Sequence, residues 1–349
     1  MNDNAQPLQV ALIGYGFVGK AFHAPLINAV PGLELSVVAS RDADKVHADL
    51  PHARVIADPL EAIRLPEVDL VVIASPNATH APLALAALEA GKHVVVDKPF
   101  TLDLAQARAL IAAAEKHGRL LSVFQNRRWD SDFLTLKALL NDGSLGEVVY
   151  FESHFDRYRP QVRQRWREQG GAGSGIWFDL GPHLLDQALQ LFGKPERLFV
   201  DLGELRPGAQ AVDYFHALLN YGDRRVVLHA SMLAAAESPR YVVHGTRGSY
   251  VKYGLDPQED RLKAGERLPQ ADWGYDMRDG VVTLSRDDLL AEQPLLNIPG
   301  NYPAYYAAVR DAITGIGENP VPAADAIAVM ALIELGLESA RLQQALPVV

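Results

Sequence analysis

The stretch Val10-Ala11-Leu12-Ile13-Gly14-Tyr15-Gly16-Phe17-Val18-Gly19 decides how the N-terminal part of the chain folds. Four apolar residues, typical of a buried strand, lead into the pattern Gly-x-Gly-x-x-Gly, and a segment with helical spacing follows. In this context the first glycine permits a tight turn, the second lets a pyrophosphate approach the backbone, and the third lets helix and strand pack closely. The unpaired amides at the helix start would bind the phosphates. The motif predicts a dinucleotide site at Gly14, Tyr15, Gly16, Phe17, Val18 and Gly19, although alone it also fits a glycine-rich turn without a ligand.

The sequence around this loop predicts a doubly wound parallel sheet. Short apolar runs alternate with helical patterns, and the runs are β-branched and continuous, as in strands buried on both faces. This strand–helix repetition is typical of a Rossmann-type α/β domain, which we place at residues 1–125. The runs are 8–14, 33–39, 54–57, 68–74, 93–96 and 120–124, with helical patterns at 81–90 and 104–117.

The pattern changes after residue 125. Apolar and polar residues now alternate, which favours antiparallel strands with one covered face. We therefore predict an α+β domain at 126–349 with a large, open, mostly antiparallel sheet, and a C-terminal helix that packs back on the first domain. The alternating runs are 148–155, 215–219, 225–231 and 241–244, and helical patterns follow at 303–315 and 325–342.

Composition excludes several classes of protein. The net charge of −10 disfavours a nucleic-acid partner, and the absence of cysteine removes disulfides, thiolate metal sites and thiol nucleophiles. The 11 histidines show no spacing typical of a zinc-dependent alcohol dehydrogenase, so no metal is expected. The opening residues do not resemble a signal peptide and no apolar run is long enough to span a membrane, so we expect a cytoplasmic protein. Local basic clusters, expected to serve an anionic cofactor or a subunit contact, are Arg127-Arg128 and Arg157, Arg159, Arg163, Arg165 and Arg167.

The end of the second predicted strand indicates which nicotinamide cofactor binds. Sites for NAD usually place an acidic residue about 20 residues beyond the glycines. Here the strand ends in Ser40-Arg41, and a hydroxyl with a guanidinium suits the 2′-phosphate of NADP. NADP is therefore the first choice. NAD stays possible because Asp42 follows and could turn toward the ribose.

Lys98 is the first catalytic candidate. It follows the fifth strand in the turn Asp97-Lys98-Pro99, and ligands of open α/β sheets bind beyond the carboxyl ends of the strands. It could polarise a substrate oxygen or relay a proton. An exposed lysine paired with Asp97 is an equally good interpretation of the sequence alone.

Asp179 and His183 are the other catalytic candidates. A helix is predicted from Asp179 to Gly193, with Pro182 in its first turn, where proline is tolerated. At about 100° per residue His183 lies roughly 140° from the centre of the apolar stripe, so we expect it outside the core, four residues from Asp179 on the same face. A neutral histidine could accept the hydroxyl proton while hydride leaves carbon. The alternatives are an N-cap aspartate and a solvated histidine.

These motifs together resemble the glucose–fructose oxidoreductase/inositol dehydrogenase (Gfo/Idh/MocA) family over nearly the whole chain. Within it the resemblance is strongest to the branch of YdgJ-like and NADP-linked scyllo-inositol dehydrogenases. Beyond the glycine loop and the catalytic candidates, the resembling segments are Asn126-Arg127-Arg128-Trp129-Asp130, Tyr158-Arg159-Pro160 through Arg165-Trp166-Arg167, Asp213-Tyr214-Phe215-His216 and Lys252-Tyr253-Gly254.

The resemblance implies a Rossmann domain followed by a domain whose open sheet builds homodimers or homotetramers. It implies that Lys98, Asp179 and His183 form a catalytic trio, with His183 as proton acceptor. The chain departs from the family pattern at one point, because Asp97 stands where a glutamate usually precedes the Lys-Pro pair. The cofactor contacts that the resemblance implies are Ser75, Pro76, Asn77, His80, Asp97, Lys98, Asn126, Trp166 and Arg167.

The sequence thus predicts hydride transfer between NADP(H) and a ring hydroxyl or ketone of a cyclitol or sugar, with scyllo-inositol and its 2-keto form as first choice. A dehydrogenase or reductase of an aldose or keto-sugar is the alternative enzyme. A non-catalytic NADP sensor is an alternative of a different class, and the intact trio argues against it.

Overall fold

The computed structural model describes residues 6–287 and 289–349, and the side chains of Trp166 and Arg286 lie outside this description. The chain forms two compact units that are discontinuous in sequence. One holds the residues up to Trp129 with Gln258–Trp273 and Asn301–Ile327, and the other holds Asp130–Pro257, Gly274–Gly300 and Ala328–Val349. The boundary predicted after residue 125 stays a prediction.

The strands and helices follow in chain order. The strands are β1 (Leu8–Ile13), β2 (Leu33–Ala39), β3 (Arg54–Ile56), β4 (Leu70–Ile73), β5 (His93–Val96), β6 (Leu121–Val123), β7 (Val148–His154), β8 (Arg197–Gly203), β9 (Tyr214–Tyr221), β10 (Arg224–Ser231), β11 (Tyr241–Gly245), β12 (Gly248–Lys252), β13 (Gly280–Arg286), β14 (Leu289–Leu295) and β15 (Leu346–Pro347). The α helices are α1 (Ala24–Asn28), α2 (Ala43–His47), α3 (Pro59–Ile63), α4 (His80–Glu89), α5 (Leu104–His117), α6 (Ser131–Asn141), α7 (Gly175–Asp179), α8 (Gly181–Phe192), α9 (Gln258–Lys263), α10 (Pro303–Ile313) and α11 (Ala323–Leu342).

The first unit contains a six-stranded parallel sheet in the order β3-β2-β1-β4-β5-β6. Its central strands are buried on both faces, since all four residues of β4 are buried, as continuous Val, Ile and Leu runs predict. The strand order reverses between β1 and β4, and in such sheets ligands bind at this switch point, beyond the carboxyl ends of the strands. The doubly wound parallel sheet predicted from the sequence is confirmed.

The second unit contains a nine-stranded sheet in the order β14-β13-β12-β11-β7-β10-β9-β8-β15. Only the pair of β7 and β10 is parallel among the described pairings, so the prediction of a mostly antiparallel sheet is confirmed. Alternate residues of β7 and β9 are buried, and Phe151 and Phe215 join Trp177 and Leu184 in the core of this unit. The other face of these strands carries half-buried polar side chains.

No helix within the described ranges has both the length and the apolar character that crossing a membrane requires.

Candidate active site

The glycine loop has the three spatial properties that a dinucleotide cradle needs. Gly14 has φ of +100°, and a Cβ there would lie 2.7 Å from the Ala74 carbonyl oxygen. A Cβ on Gly16 would meet nothing within 4 Å, so its backbone faces open space. A Cβ on Gly19 would clash with the carbonyl oxygen of Gly14. The loop therefore turns tightly, leaves one backbone face accessible and packs closely at its end, which fits a bound pyrophosphate.

The helix after the loop begins with an irregular turn. The Lys20 N–H donates to the Gly16 carbonyl at 3.0 Å, and residues Gly19–His23 form a π-helical turn before α1. π-Turns in helices occur frequently at functional sites. The amides of Phe17 and Val18 precede this first hydrogen bond and belong to the set that a helix start leaves for a ligand. Phe17 itself is 61% exposed.

A cleft of about 570 Å³ joins the glycine loop to the ends of β2 and β4. Several residues predicted to bind the cofactor therefore share one site. Its wall also contains Lys45, at the start of α2, and Thr79, neither of which sequence reasoning had singled out. The predicted residues in the cleft are Gly14, Tyr15, Gly16, Ser40, Arg41, Ser75 and Pro76.

Asp42 is held by its own helix. Its carboxylate accepts a hydrogen bond from the Lys45 N–H at 3.0 Å and so caps α2. Its N–H donates to the Ser40 hydroxyl at 3.1 Å. An N-cap carboxylate contributes about 1 kcal/mol to helix stability. Turning Asp42 toward a ribose would therefore cost this capping interaction, which weakens the sequence-based argument for NAD.

The segment after β4 is fixed by short hydrogen bonds. The hydroxyls of Ser75 and Thr79 lie 2.6 Å apart. The imidazole of His80, which is buried, has Nε2 at 2.9 Å from the Ser75 carbonyl and Nδ1 at 2.9 Å from the Pro99 carbonyl. His80 thus links the loop after β4 to the loop after β5. Because both ring nitrogens are engaged in these contacts, His80 can position the two loops around a ligand.

Asp97 faces the interior of the first unit. It is 5% exposed, and its carboxylate lies 3.8 Å from Nε2 of His23, whose Nδ1 lies 2.6 Å from the Tyr306 hydroxyl. Burial opposes ionisation of Asp97, but the proximity of His23 and the charge of Lys98 outweigh it and hold the pKa of the carboxyl below its usual value. Sequence reasoning missed His23 and Tyr306, because they are distant in sequence from the Asp-Lys-Pro turn. The half-buried Lys98 follows, and its peptide bond to Pro99 is cis.

The helix predicted from Asp179 to Gly193 is interrupted. Pro182 has no N–H to donate to the Phe178 carbonyl, and α7 ends at Asp179 before α8 begins at Gly181. Leu180 is the N-cap of α8, so the N-cap interpretation of Asp179 is wrong. The predicted end at Gly193 is confirmed, with φ of +72°.

His183 is buried, with 4% of its surface exposed, so the expectation of a residue outside the core is wrong. Helical periodicity identifies the most apolar face of a helix but assumes that the opposite face meets solvent. In α8 every residue from Gly181 to Ala188 is buried, which removes the basis of that assumption. The His183 N–H donates to the Leu180 carbonyl at 3.1 Å, so the imidazole extends from the first turn of α8. A solvated surface histidine is therefore excluded.

Arg167 contacts Asp179. Its guanidinium lies 3.9 Å from the carboxylate, and both side chains are partly exposed. The resemblance implied a cofactor contact for Arg167, and its guanidinium lies beside a proposed catalytic residue. The side chain of Trp166, the neighbouring predicted contact, lies outside the described residues. Asn126, after β6, is buried.

Several arginines of the basic clusters form ion pairs within their own units. Arg127 forms an ion pair with Glu259, and Arg128 contacts Asp325 at 2.8 Å. These two arginines therefore make contacts within the first unit, and the expected cofactor or subunit contact stays a prediction. In the arginine-rich loop, Glu168 accepts from Arg165 at 2.6 Å and from Arg206 at 3.1 Å.

The chain was compared with protein-family models and known proteins. A model described as the oxidoreductase family, NAD-binding Rossmann fold, matches residues 8–125. A second, the oxidoreductase family, C-terminal alpha/beta domain, matches residues 137–348. Both carry the Gfo/Idh/MocA designation.

Individual relatives cover nearly the full chain. YdgJ of Escherichia coli strain K12, named an uncharacterized oxidoreductase, is 67% identical over 98% of both chains. The scyllo-inositol 2-dehydrogenase (NADP(+)) IolW of Bacillus subtilis strain 168 is 37% identical over 96% of this chain and 94% of its own. A solved structure from Yersinia pestis, titled an oxidoreductase, is 68% identical, with a TM-score of 0.96 over 99% of this chain and 98% of the other.

Proposed function

The chain belongs to the Gfo/Idh/MocA oxidoreductase family, and on that premise we propose that it transfers a hydride between NADP(H) and a ring hydroxyl or ketone of a cyclitol. Its activity class is that of an NAD(P)-dependent dehydrogenase. The observation that carries the proposal is the cleft at the switch point, where an accessible glycine backbone lies beside Arg41 and Lys45. Scyllo-inositol and its 2-keto form are the preferred substrate pair, because the relative IolW is named for that reaction with NADP.

The cofactor assignment to NADP rests on charge. Arg41, Lys45 and Ser40 line the same cleft. Two cations and a hydroxyl suit a phosphate dianion, and a guanidinium can bind two phosphate oxygens at once. Asp42, the acidic residue that could have favoured NAD, is used as a helix cap. When bound, the nicotinamide accepts or supplies the hydride.

We assign the proton chemistry to the trio. His183 lies in the first turn of α8, where the positive end of the helix dipole disfavours the imidazolium and keeps the ring available as a base. His183 accepts the proton of the substrate hydroxyl while hydride leaves the carbon that bears this hydroxyl. Lys98 stabilises the negative charge that develops on that oxygen. Asp179 orients the imidazole or holds a neighbouring hydroxyl, and the Arg167 guanidinium lies 3.9 Å from its carboxylate.

A substrate screen tests the proposal. Inositol isomers, including scyllo-inositol and myo-inositol, and a panel of aldoses are each incubated with NADP⁺ and with NAD⁺, and absorbance is followed at the nicotinamide band. We expect the highest kcat/KM for scyllo-inositol with NADP⁺. A higher value for an aldose would favour the alternative substrate class. A strong preference for NAD⁺ would contradict the cofactor assignment, and no turnover with any polyol or sugar would favour the sensor.

A further inference from the structure

Three histidines lie side by side on the half-buried face of the second unit's sheet. In the strand register His229 of β10 stands opposite His216 of β9 and also opposite His154 of β7. The ring centroids of His154 and His229 are 5.2 Å apart, and those of His216 and His229 are 5.6 Å apart. Directly opposed residues on neighbouring strands always meet, so this row is built by the register.

A carboxylate lies between two of these rings. Asp156 follows the end of β7, and its two oxygens lie 3.1 Å from Nδ1 of His154 and 3.5 Å from Nε2 of His229. The Ser231 N–H donates to the same carboxylate at 2.9 Å and fixes its position. One ligand atom from each of these three residues can be chosen so that all lie within 4.8 Å of one another. Around a tetrahedral zinc ion, neighbouring ligand atoms are roughly 3.3 Å apart, so small side-chain rotations close the set.

A further carboxylate orients His154 from the other side. Glu152 lies 2.7 Å from Nε2 of His154, and it accepts a hydrogen bond from the Tyr150 hydroxyl at 2.8 Å. A carboxylate only accepts, so Nε2 of His154 donates to Glu152 and Nδ1 donates to Asp156, and a metal ion bound here takes the place of the Nδ1 proton. Metal-binding histidines commonly donate their other ring N–H to a carboxylate in this way, which fixes the tautomer and strengthens the ligand.

The cluster is suited to hold a positive charge. The carboxylates of Asp156 and Glu152 lie 3.1 Å from Nδ1 and 2.7 Å from Nε2 of His154, so two negative charges face this ring. A divalent cation bound at Nδ1 would be neutralised by the same two carboxylates. The ligand side chains are shielded without being inaccessible, since 16% of His154, 17% of His229 and 9% of Asp156 are exposed.

We propose that His154, Asp156 and His229 bind a divalent first-row transition-metal ion, with zinc preferred, and that Glu152 is the outer carboxylate of this site. Two imidazoles and one carboxylate form a donor set that suits zinc and its neighbours and does not suit magnesium or calcium, which prefer oxygen ligands. The ring of His216 lies 5.6 Å from that of His229, and His216 is the candidate for a fourth ligand. The site ties β7 to β10.

This metal site is separate from the proposed hydride chemistry. Leu184 and Leu185 of α8 pack in the same core as Leu228, which lies on β10 next to His229 and points to the opposite face of the sheet. The helix that carries His183 therefore covers one face, and the histidine row lies on the other. The inference holds whether or not the proposed substrate is correct.

Metal titration of the full chain tests the site. After dialysis against a chelator, the protein is titrated with Co²⁺, whose visible absorption reports nitrogen and oxygen ligands, and Zn²⁺ is then added as competitor. We expect one Co²⁺ per chain with micromolar or tighter affinity, and displacement by Zn²⁺ but not by Mg²⁺. X-ray absorption of the zinc-loaded wild type should show two imidazole ligands. This measurement needs no variant.

Variants assign the ligands. His229→Gln and Asp156→Asn should each weaken Co²⁺ binding more than about 100-fold, and Glu152→Gln, which alters an outer partner, about 10–100-fold. His244→Gln is the matched control, because His244 lies on the same sheet face, stacks on Tyr150 and bonds Ser249 at 2.8 Å. The Co²⁺ affinity of His244→Gln should equal that of the wild type. The proposal is overturned if the wild type binds no Co²⁺ up to millimolar concentration, or if His229→Gln and Asp156→Asn, both folded by circular dichroism, bind it as the wild type does.

Discussion

The carboxyl end of β2 shows how few side chains can set a cofactor preference. Ser40 and Arg41 were visible in the sequence, because their position after the second strand of a Rossmann pattern is fixed by the motif. Lys45 was not, since its contribution depends on where α2 begins. For Asp42 the sequence pointed in the wrong direction. Its residue type suggested NAD, but its carboxylate is committed to the Lys45 N–H.

Arg41→Ala should lower kcat/KM for NADP⁺ and leave that for NAD⁺ nearly unchanged. A charge-assisted hydrogen bond is worth about 1.5–3 kcal/mol, which corresponds to a loss of about 10–150-fold. Lys45→Ala should likewise lower kcat/KM for NADP⁺ more than that for NAD⁺. The exposed Arg54, which pairs with Glu67 and lies outside the cleft, supplies the matched control Arg54→Ala. Equal losses with both cofactors would contradict the assignment of the 2′-phosphate to these side chains.

At the scale of elements, the strands of the first unit were predictable and several of the second were not. The runs 33–39 and 93–96 coincide with β2 and β5, because fully buried parallel strands are continuous and apolar. No pattern singled out β8 or the exposed strand β14, since pairing in a mixed sheet depends on distant partners. The break between α7 and α8 escaped prediction because proline at a helix start and proline between two helices look alike in sequence.

A buried ion pair joins elements of the second unit. Arg240 is 2% exposed and Asp132 is fully buried, and the guanidinium donates to the carboxylate at 2.8 Å and to Gln187 of α8 at 2.9 Å. Asp132→Ala leaves the arginine buried without its counter-ion and should lower the free energy of unfolding by about 3–5 kcal/mol. Urea denaturation measures this. Glu338→Ala, which breaks an exposed pair with Arg341, should leave stability nearly unchanged, and a similar loss in both variants would contradict the prediction.

The arginine-rich loop should respond to acid through Glu168. Burial raises the pKa of its carboxyl, but hydrogen bonds from the Arg163 N–H and the Arg165 side chain, with the charge of Arg206, lower it below the ordinary value of 4.5. A folded-state pKa below the unfolded one contributes stability above pH 4.5, and this contribution is lost as pH falls through the folded pKa. The stability difference between wild type and Glu168→Gln should therefore be largest near neutral pH and shrink below pH 4.5. Urea denaturation midpoints measured across the pH range test this. A stability difference between the two proteins that grows on acidification would contradict the prediction.

At the scale of the whole molecule, we propose that the chain forms homodimers or homotetramers through the sheet of the second unit. Strand β14 ends the sheet, pairs with β13 alone in the described register, and carries Leu289 and Leu290 at 73% and 75% exposure. An edge strand that exposes two leucines offers unpaired backbone groups and apolar side chains for pairing with another chain. Amino-acid composition could not indicate this pairing surface, because the surface depends on which strand occupies the edge of the sheet.

Sedimentation velocity should therefore show a single species larger than the monomer mass of 38.1 kDa. Leu290→Lys should shift it toward the monomer, because a charge on an apolar edge opposes pairing. Leu205→Lys, at 54% exposure in a loop of the same unit, is the control that should leave the assembly intact. A monomeric wild type would rule the assembly out.

The most direct test of the account is the turnover of His183→Ala with scyllo-inositol and NADP⁺, measured beside its affinity for NADPH by fluorescence. Removing a general base should lower kcat by about 10²–10⁴-fold. NADPH affinity should stay near the wild-type value, because the nucleotide cleft is built from the first unit and His183 belongs to the second. Near-wild-type turnover in the variant would contradict the assignment of His183 as the proton acceptor, and with it the proposed chemistry.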